Sequence, residues 1–375
     1  MPVSELNLKV NLTYGDDYIQ DQDTRARQLM FIFWGIIMPI ISVIGFFGNI
    51  LTIIVLFRRE MKSTTVYFLR TLVVTDTGII VGAIMGLSVI SITQLNPDMW
   101  LFTDVIYPHI FTPTNYIVMT LQMLNVWTTV AVSVERYIAI CHPFKSVKIC
   151  NKKNAYKMIG IITLISLLYN IPRCFATWFT GCGQTNGHAC YTIITTQFGQ
   201  SDFFAVVYSV WLYMILIYII PLVLLGVLNT LLILELMRMR RRRSVTNIQE
   251  NSEANMSIVL ILIVIVFICC QTPGLVAQFE FLGPVALLQW TCVSNTLFVL
   301  NSSVNFLIYT AVGRKFRKIL LKTFQVLVKR PVNELKTSYS QGNGGTELTK
   351  LTKQQVTYDS EELSDETCNL KGCGR

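Results

Sequence analysis

The chain has 375 residues, of which 52% are hydrophobic and only 14% charged, with a formal net charge of +9. So much apolar surface excludes an ordinary soluble domain of this size, and the chain is expected in lipid as one helical bundle. The positive balance does not imply nucleic-acid binding, because Lys and Arg gather at the ends of apolar segments, where they set membrane topology.

Residues 1–28 read as a polar tail. Its opening, MPVSELNLKV, shows no basic, apolar and small-residue succession of a cleaved leader, so the first span is expected to serve as its own insertion signal. Asn11-Leu12-Thr13 is an N-glycosylation acceptor.

Seven apolar runs come next, at about 29–57, 65–92, 107–141, 155–178, 203–237, 255–281 and 286–310. Each is long enough to cross a hydrocarbon core, which takes about 20 apolar residues. Helices are predicted, because an open strand would leave backbone groups unpaired in lipid. The expected architecture is an all-α membrane protein, a seven-transmembrane helix bundle over 29–310. Residues 311–326, GRKFRKILLKTF at their heart, alternate basic and apolar residues and predict an eighth, amphipathic helix lying on the membrane. Residues 327–375 are polar and carry too little apolar surface to fold alone.

Charge sets the orientation. Arg58, Arg59 and Lys62 follow the first run, Lys145, Lys148, Lys152, Lys153 and Lys157 the third, and Arg238, Arg240, Arg241, Arg242 and Arg243 the fifth. The alternate connections, about 93–106, 179–202 and 282–285, hold no Lys or Arg. The N-terminus is therefore expected outside the plasma membrane and the C-terminus in the cytoplasm.

Polar groups inside spans are expensive and mark function. Asp76 lies midway along the second run, and Asn49, Asn125, Asn301 and Asn305 fall at comparable depth in runs one, three and seven. Together they are expected to form a buried polar cluster able to hold protons or an allosteric sodium ion, or to act as plain interhelical glue. At the inner end of the third run stands Glu135-Arg136-Tyr137, where Arg136 can pair with Glu135 or reach Glu253 at the start of the sixth. An arginine that only snorkels to the interface is the simpler alternative.

These words, VSVERYIAICHP, the Gly-Asn of the first run, the Asp of the second, the proline in IIPLVLLGVLN and NSSVNFLIY, resemble the rhodopsin-like G-protein-coupled receptors over about 29–325. The resemblance implies activation switches at Asp76, Arg136, Asn305 and Tyr309, and a heterotrimeric G protein, receptor kinases and arrestin as partners. SLLYNIPR, SVWLYMILIYIIP, CCQTPG and NSSVNFLIY are similar to the invertebrate FMRFamide-receptor-like neuropeptide receptors, which implies an extracellular peptide ligand. The chain departs from the family pattern at Gln271, Phe306, Asn229 and Ile162, so switch arguments built on those positions do not carry over. Pro221 and Pro273 still offer kinks.

Val118 and Val299 occupy the positions where the family's amine and retinal receptors carry their charged residues, which speaks against both ligands. The expected peptide-contacting residues are Tyr116, Met119, Gln122, Arg173, Tyr208, Trp211, Gln271, Gln278, Glu280 and Asn295. For a peptide ending in Arg-Phe-amide, Glu280 is the first choice of counter-charge, with Asp98, Asp104 and Asp202 as alternatives. No cysteine stands near Phe111, where the family's usual disulfide would begin. In GCGQTNGHACY the Asn186-Gly187 turn can bring Cys182 to Cys190, with Cys174 as a competing partner. Cys141, Cys150, Cys269, Cys270 and Cys292 are expected as reduced packing residues.

In the tail, Ser360, Ser364 and Thr367 lie among acids that favour phosphorylation. A transporter or channel would need internal repeats or pore-lining charges, and an enzyme paired carboxylates or a metal-ligand set; the sequence offers neither pattern, and no resident metal or cofactor is expected beyond the sodium ion.

Overall fold

The computed structural model describes residues 25–61, 63–93, 97–185, 188–242, 248–277, 284–323 and 325. Seven helices are long and apolar enough to cross a membrane: Arg25–Leu56, Thr65–Thr93, Leu101–Cys141, Lys152–Ala176, Phe203–Met239, Ser257–Val276 and Ala286–Val312. The chain is therefore a multi-pass membrane protein, and these helices are its first to seventh spans. The third starts earlier than the apolar pattern suggests, because a π-helical turn, Leu101–Ile106, precedes Tyr107. The sixth is described to Val276, three residues after Pro273, and 278–281 of its expected run lie outside the described residues.

Between lipid-facing helices there is no water to exclude, so association rests on close packing and polar contacts. Gly78, Gly82 and Gly86 fall one turn apart on the second span and meet Leu121, Val118 and Thr114 of the third. A methyl added to Gly78 would stand 2.5 Å from Leu121 Cδ1, and one added to Gly82 2.2 Å from Val118 Cγ2. The third span is the most interior, 67% buried along its apolar window, and the fourth the most peripheral at 11%. The third packs against the second, fourth and fifth, the seventh against the first, second and sixth.

The three largest apolar clusters lie along the bundle. One, at the end carrying Glu135 and Arg136, joins Val55, Phe68, Leu72, Ala131, Ile263 and Tyr309 to Phe316 and Ile319. A central one unites Met123, Val126, Tyr213, Tyr218, Leu225 and Phe267. The last holds Trp34, Met38, Ile80, Cys292 and Val299. After Gly313, residues 314–323 form the expected eighth helix, with Phe316 and Ile319 buried and Arg314, Lys315, Arg317 and Lys318 exposed. Arg317 donates to the carbonyls of Thr310 and Ala311, capping the seventh span.

The bundle has two chemically distinct ends. The end with Arg136 carries the basic connections and a short helix, Pro143–Ile149. The opposite end carries an antiparallel hairpin, β1 (Thr177–Thr185) and β2 (His188–Thr195). Cys182 is the extra residue of a bulge between Gly181 and Gly183, and Gly183 takes φ of 95°, a conformation open to glycine. This bulge presents Cys182 to Cys190, and the two form a disulfide with Cα atoms 5.2 Å apart, while Cys174 stays free. The hairpin is held to the bundle by contacts rather than by that bond. Trp100 stacks on His188 at 3.9 Å, His109 packs against Phe179 and Tyr191, and Thr112 hydrogen-bonds Thr177.

Candidate functional site

The polar residues of the interior lie at three levels along the third span. At the basic end, Arg136 donates from Nε to Glu135 Oε2 at 2.7 Å and from Nη2 to Oε1 at 2.8 Å, a two-pronged pair with both residues buried. Thr65 of the second span adds a hydroxyl to Glu135 Oε2 at 2.8 Å. Adjacent side chains on one helix thus neutralise each other, and the neighbouring span clamps them. The simple snorkelling alternative fails here, since Arg136 is buried. Tyr137 packs edge-on against His142, and the side chain of Glu253 lies outside the described residues. Burial first, then the Glu135 carboxylate, push the Cys150 thiol up, with Arg136 opposing. That thiol stays protonated and inert.

Halfway along, the fully buried Asp76 receives Asn125 Nδ2 on Oδ1 at 2.8 Å and Asn305 Nδ2 on Oδ2 at 2.7 Å. Thr75 receives the same Asn125 amide at 2.9 Å. One carboxylate therefore ties the second span to the third and seventh. Asn49 joins by another route, donating to the backbone carbonyl of Ser302 at 3.2 Å. Asn301 is buried one turn before Asn305, and Tyr309 turns towards Phe316, ring centroids 5.4 Å apart. Asn49 Oδ1 is buried without a hydrogen-bond partner among the described residues, and the Ser302 hydroxyl lies beside the Asp76 carboxylate. Such oxygens around a buried carboxylate are a donor set that suits a small cation.

Nearer the hairpin, Tyr213 donates to Gln122 Oε1 at 3.0 Å, both residues buried. Above this pair, Arg173 has its guanidinium carbon 5.4 Å from the Tyr208 ring centre and 5.3 Å from that of Tyr213, and its Nε donates to Asn170 at 3.1 Å. Tyr208 is buried and donates to the carbonyl of Tyr169. Met119 packs on the central cluster. Asn295 is half-buried on the seventh span.

Three expected contacts are placed differently. Trp211 is 52% exposed on the outer surface of the bundle. The cause is the π-helical turn Phe203–Leu212, in which Tyr213 N–H reaches back five residues to Tyr208; the inward positions become Phe204, Tyr208 and Tyr213, and Trp211 falls between them. Tyr116 leans on the fourth span, its hydroxyl 3.4 Å from the Leu167 carbonyl. Gln271 is buried rather than open to a pocket, its Oε1 is without a hydrogen-bond partner among the described residues, and the Asn305 amide is committed to Asp76. Cys269, expected as packing, is exposed. Gln278, Glu280, Asn11, Ser360, Ser364 and Thr367 lie outside the described residues. Of the alternative acids, Asp202 and Asp98 are exposed and Asp104 is half-buried.

Several participants carry no mark in the sequence. Thr65, Asn170 and Tyr213 are ordinary residues there, and only their partners give them a role. Phe144 and Val147, 93% and 82% exposed on Pro143–Ile149, had a readable signal, two apolar residues three apart in a basic loop. Arg70 donates twice to the Leu56 carbonyl, closing the end of the first span.

Comparison with known proteins agrees with this layout. The model of the 7 transmembrane receptor (rhodopsin family) matches residues 48–309. The chain is similar to the FMRFamide receptor of Drosophila melanogaster, 31% identical over 296 residues, which cover 78% of this chain and 54% of that protein. It is similar to a probable G-protein coupled receptor, frpr-1, of Caenorhabditis elegans, 27% identical over 328 residues, covering 82% of this chain and 83% of that one. Neuromedin-U receptor 2 of Mus musculus is 26% identical, with 75% and 72% covered. The chain spans about half the length of the Drosophila protein. With seven spans, a polar core on Asp76 and an Arg136 pair at the end of the third span, the chain belongs to the rhodopsin family of seven-transmembrane receptors, whose members are receptors and not enzymes.

Proposed function

We propose that this receptor is activated by an extracellular neuropeptide ending in Arg-Phe-amide and passes the signal to a heterotrimeric G protein. The observation that carries the reading is the third span itself: Gln122, Asn125 and Arg136 on one helix contact, in turn, the tyrosine-lined hairpin end, Asp76 and the Glu135 clamp. A ligand that shifts this helix is coupled mechanically to both ends. The 31% identity to an FMRFamide receptor supports the ligand class. The hairpin end, with its disulfide and with connections free of Lys and Arg, faces outward; the basic end, with exposed Phe144 and Val147 on their short helix, faces the cytoplasm of the plasma membrane and offers an apolar hold for a G protein. Receptor kinases and arrestin act on the tail serines and threonine.

Glu280 pairs with the peptide arginine in this reading. Sodium is held by Asp76 with the oxygens Asn49 Oδ1 and Ser302 Oγ, and it steadies the resting packing of the second, third and seventh spans. The test is G-protein activation in cells that express the chain, challenged with amidated peptides. A saturable response to the Arg-Phe-amide subset is the expected result; a response confined to other peptides, such as neuromedin-type sequences, moves the ligand class and leaves the receptor assignment standing.

A further inference from the structure

Arg173 is a cation with no carboxylate partner among the described residues. Its guanidinium lies over the rings of Tyr208 and Tyr213, and its Nε is engaged by Asn170. Tyrosine faces stabilise positive charge, and Tyr208 also hydrogen-bonds the side chain, but neither ring brings a negative charge to the edge that carries the terminal N–H groups. Among the described residues no carboxylate reaches that edge: Glu135 is taken by Arg136 and Glu235 by Arg238. Arginine keeps its charge, so a partly buried guanidinium with no carboxylate beside it among the described residues favours an incoming anion. The side chain is also pre-oriented, held on two faces and at Nε, which lowers the entropy lost when a partner docks.

Resting on the peptide-receptor reading above, we infer that Arg173 receives a carboxylate of the docked peptide, so the ligand carries an acid as well as its cationic arginine. The paired N–H groups of a guanidinium match the two oxygens of a carboxylate, which can displace the neutral Tyr208 hydroxyl. That carboxylate has two sources, an acidic side chain upstream in an amidated peptide or a free C-terminus.

The experiment measures displacement binding and G-protein activation with synthetic probes. These are Phe-Met-Arg-Phe-amide, versions extended by one to four residues carrying Asp or its neutral twin Asn, and the same tetrapeptide as the free acid. On the native receptor at least one Asp probe is expected to bind about tenfold more tightly than its Asn twin. In Arg173→Gln that gap should shrink to within about twofold while the Asn twin keeps its affinity, and Arg173→Lys should restore part of the gap, since charge returns without the fork. An advantage of the free acid over the amide, lost in Arg173→Gln, supports the inference and places the carboxylate at the C-terminus. Equal binding of acid and neutral twins on the native receptor overturns the inference alone, and so does a preference that survives in Arg173→Gln. Silence from every probe at a receptor shown to reach the surface overturns the inference together with the peptide reading. Should Arg173→Gln fail to reach the surface, Arg173→Lys carries the test, and a twin gap unchanged from the native receptor overturns the inference.

Discussion

Two buried or half-buried arginines stand at opposite ends of the bundle, and their surroundings are opposites. Arg136 is satisfied within the protein, gripped at 2.7 and 2.8 Å by the neighbouring Glu135 and backed by Thr65. Arg173 has aromatic faces and one amide oxygen but no carboxylate among the described residues. A charge paired at rest behaves as a latch that must be opened, whereas a charge left unpaired behaves as a socket. Asp76 sits between them and binds the spans that either change would move.

The largest effects should come from breaking the latch. Arg136→Gln is expected to abolish agonist-driven G-protein activation in a nucleotide-exchange assay on receptor counted at the surface. Glu135→Gln, which keeps the shape and removes the charge, should raise agonist-free activity severalfold; unchanged basal activity would show that the pair is not a restraint. Asp76→Ala cuts the connection between the two ends. It strands the Asn125 and Asn305 amides, so the solubilised receptor should lose about 2 kcal/mol of stability in thermal unfolding. Replacing sodium by choline should then leave agonist affinity unaltered, whereas the same exchange should raise it in the native receptor.

At the socket the changes are smaller. Tyr213→Phe removes the bond to Gln122 and keeps the ring beside Arg173, so a loss of about 1 kcal/mol, or some fivefold in peptide potency, is expected with basal activity unchanged. A fall in basal activity instead would merge the two regions. The smallest effect belongs to the double variant Cys182→Ser with Cys190→Ser. That bond closes a short loop, and Trp100, His109 and Thr112 hold the hairpin independently. Surface expression should persist and peptide affinity should drop only a few-fold; complete loss of expression would mean the bond, not the aromatic contacts, seats the hairpin.

Much of this architecture is legible in the order of residues. Lipid tolerates only helices whose backbone is satisfied internally, so seven apolar runs already specify seven spans, and the expense of polar groups there singles out Asp76, Asn125, Asn305 and Glu135-Arg136. The Cys182–Cys190 bond is legible as well, because an Asn-Gly pair between nearby cysteines is a local signal. Features created by contact between helices are not. Trp211 looks like a pocket residue at ordinary helical spacing, and only the π-helical turn of the fifth span rotates it into the lipid face and brings Tyr213 inward. The glycine row Gly78, Gly82 and Gly86 is visible as a pattern, but its meaning depends on Val118 and Leu121 arriving opposite it. The sequence alone determined which residues must leave water and which must then find partners, since those are local properties of side chain and solvent. Tertiary structure alone decided which partners they found, Glu135 for Arg136 and two tyrosines for Arg173, because pairing across helices depends on how neighbouring spans rotate and how closely they approach.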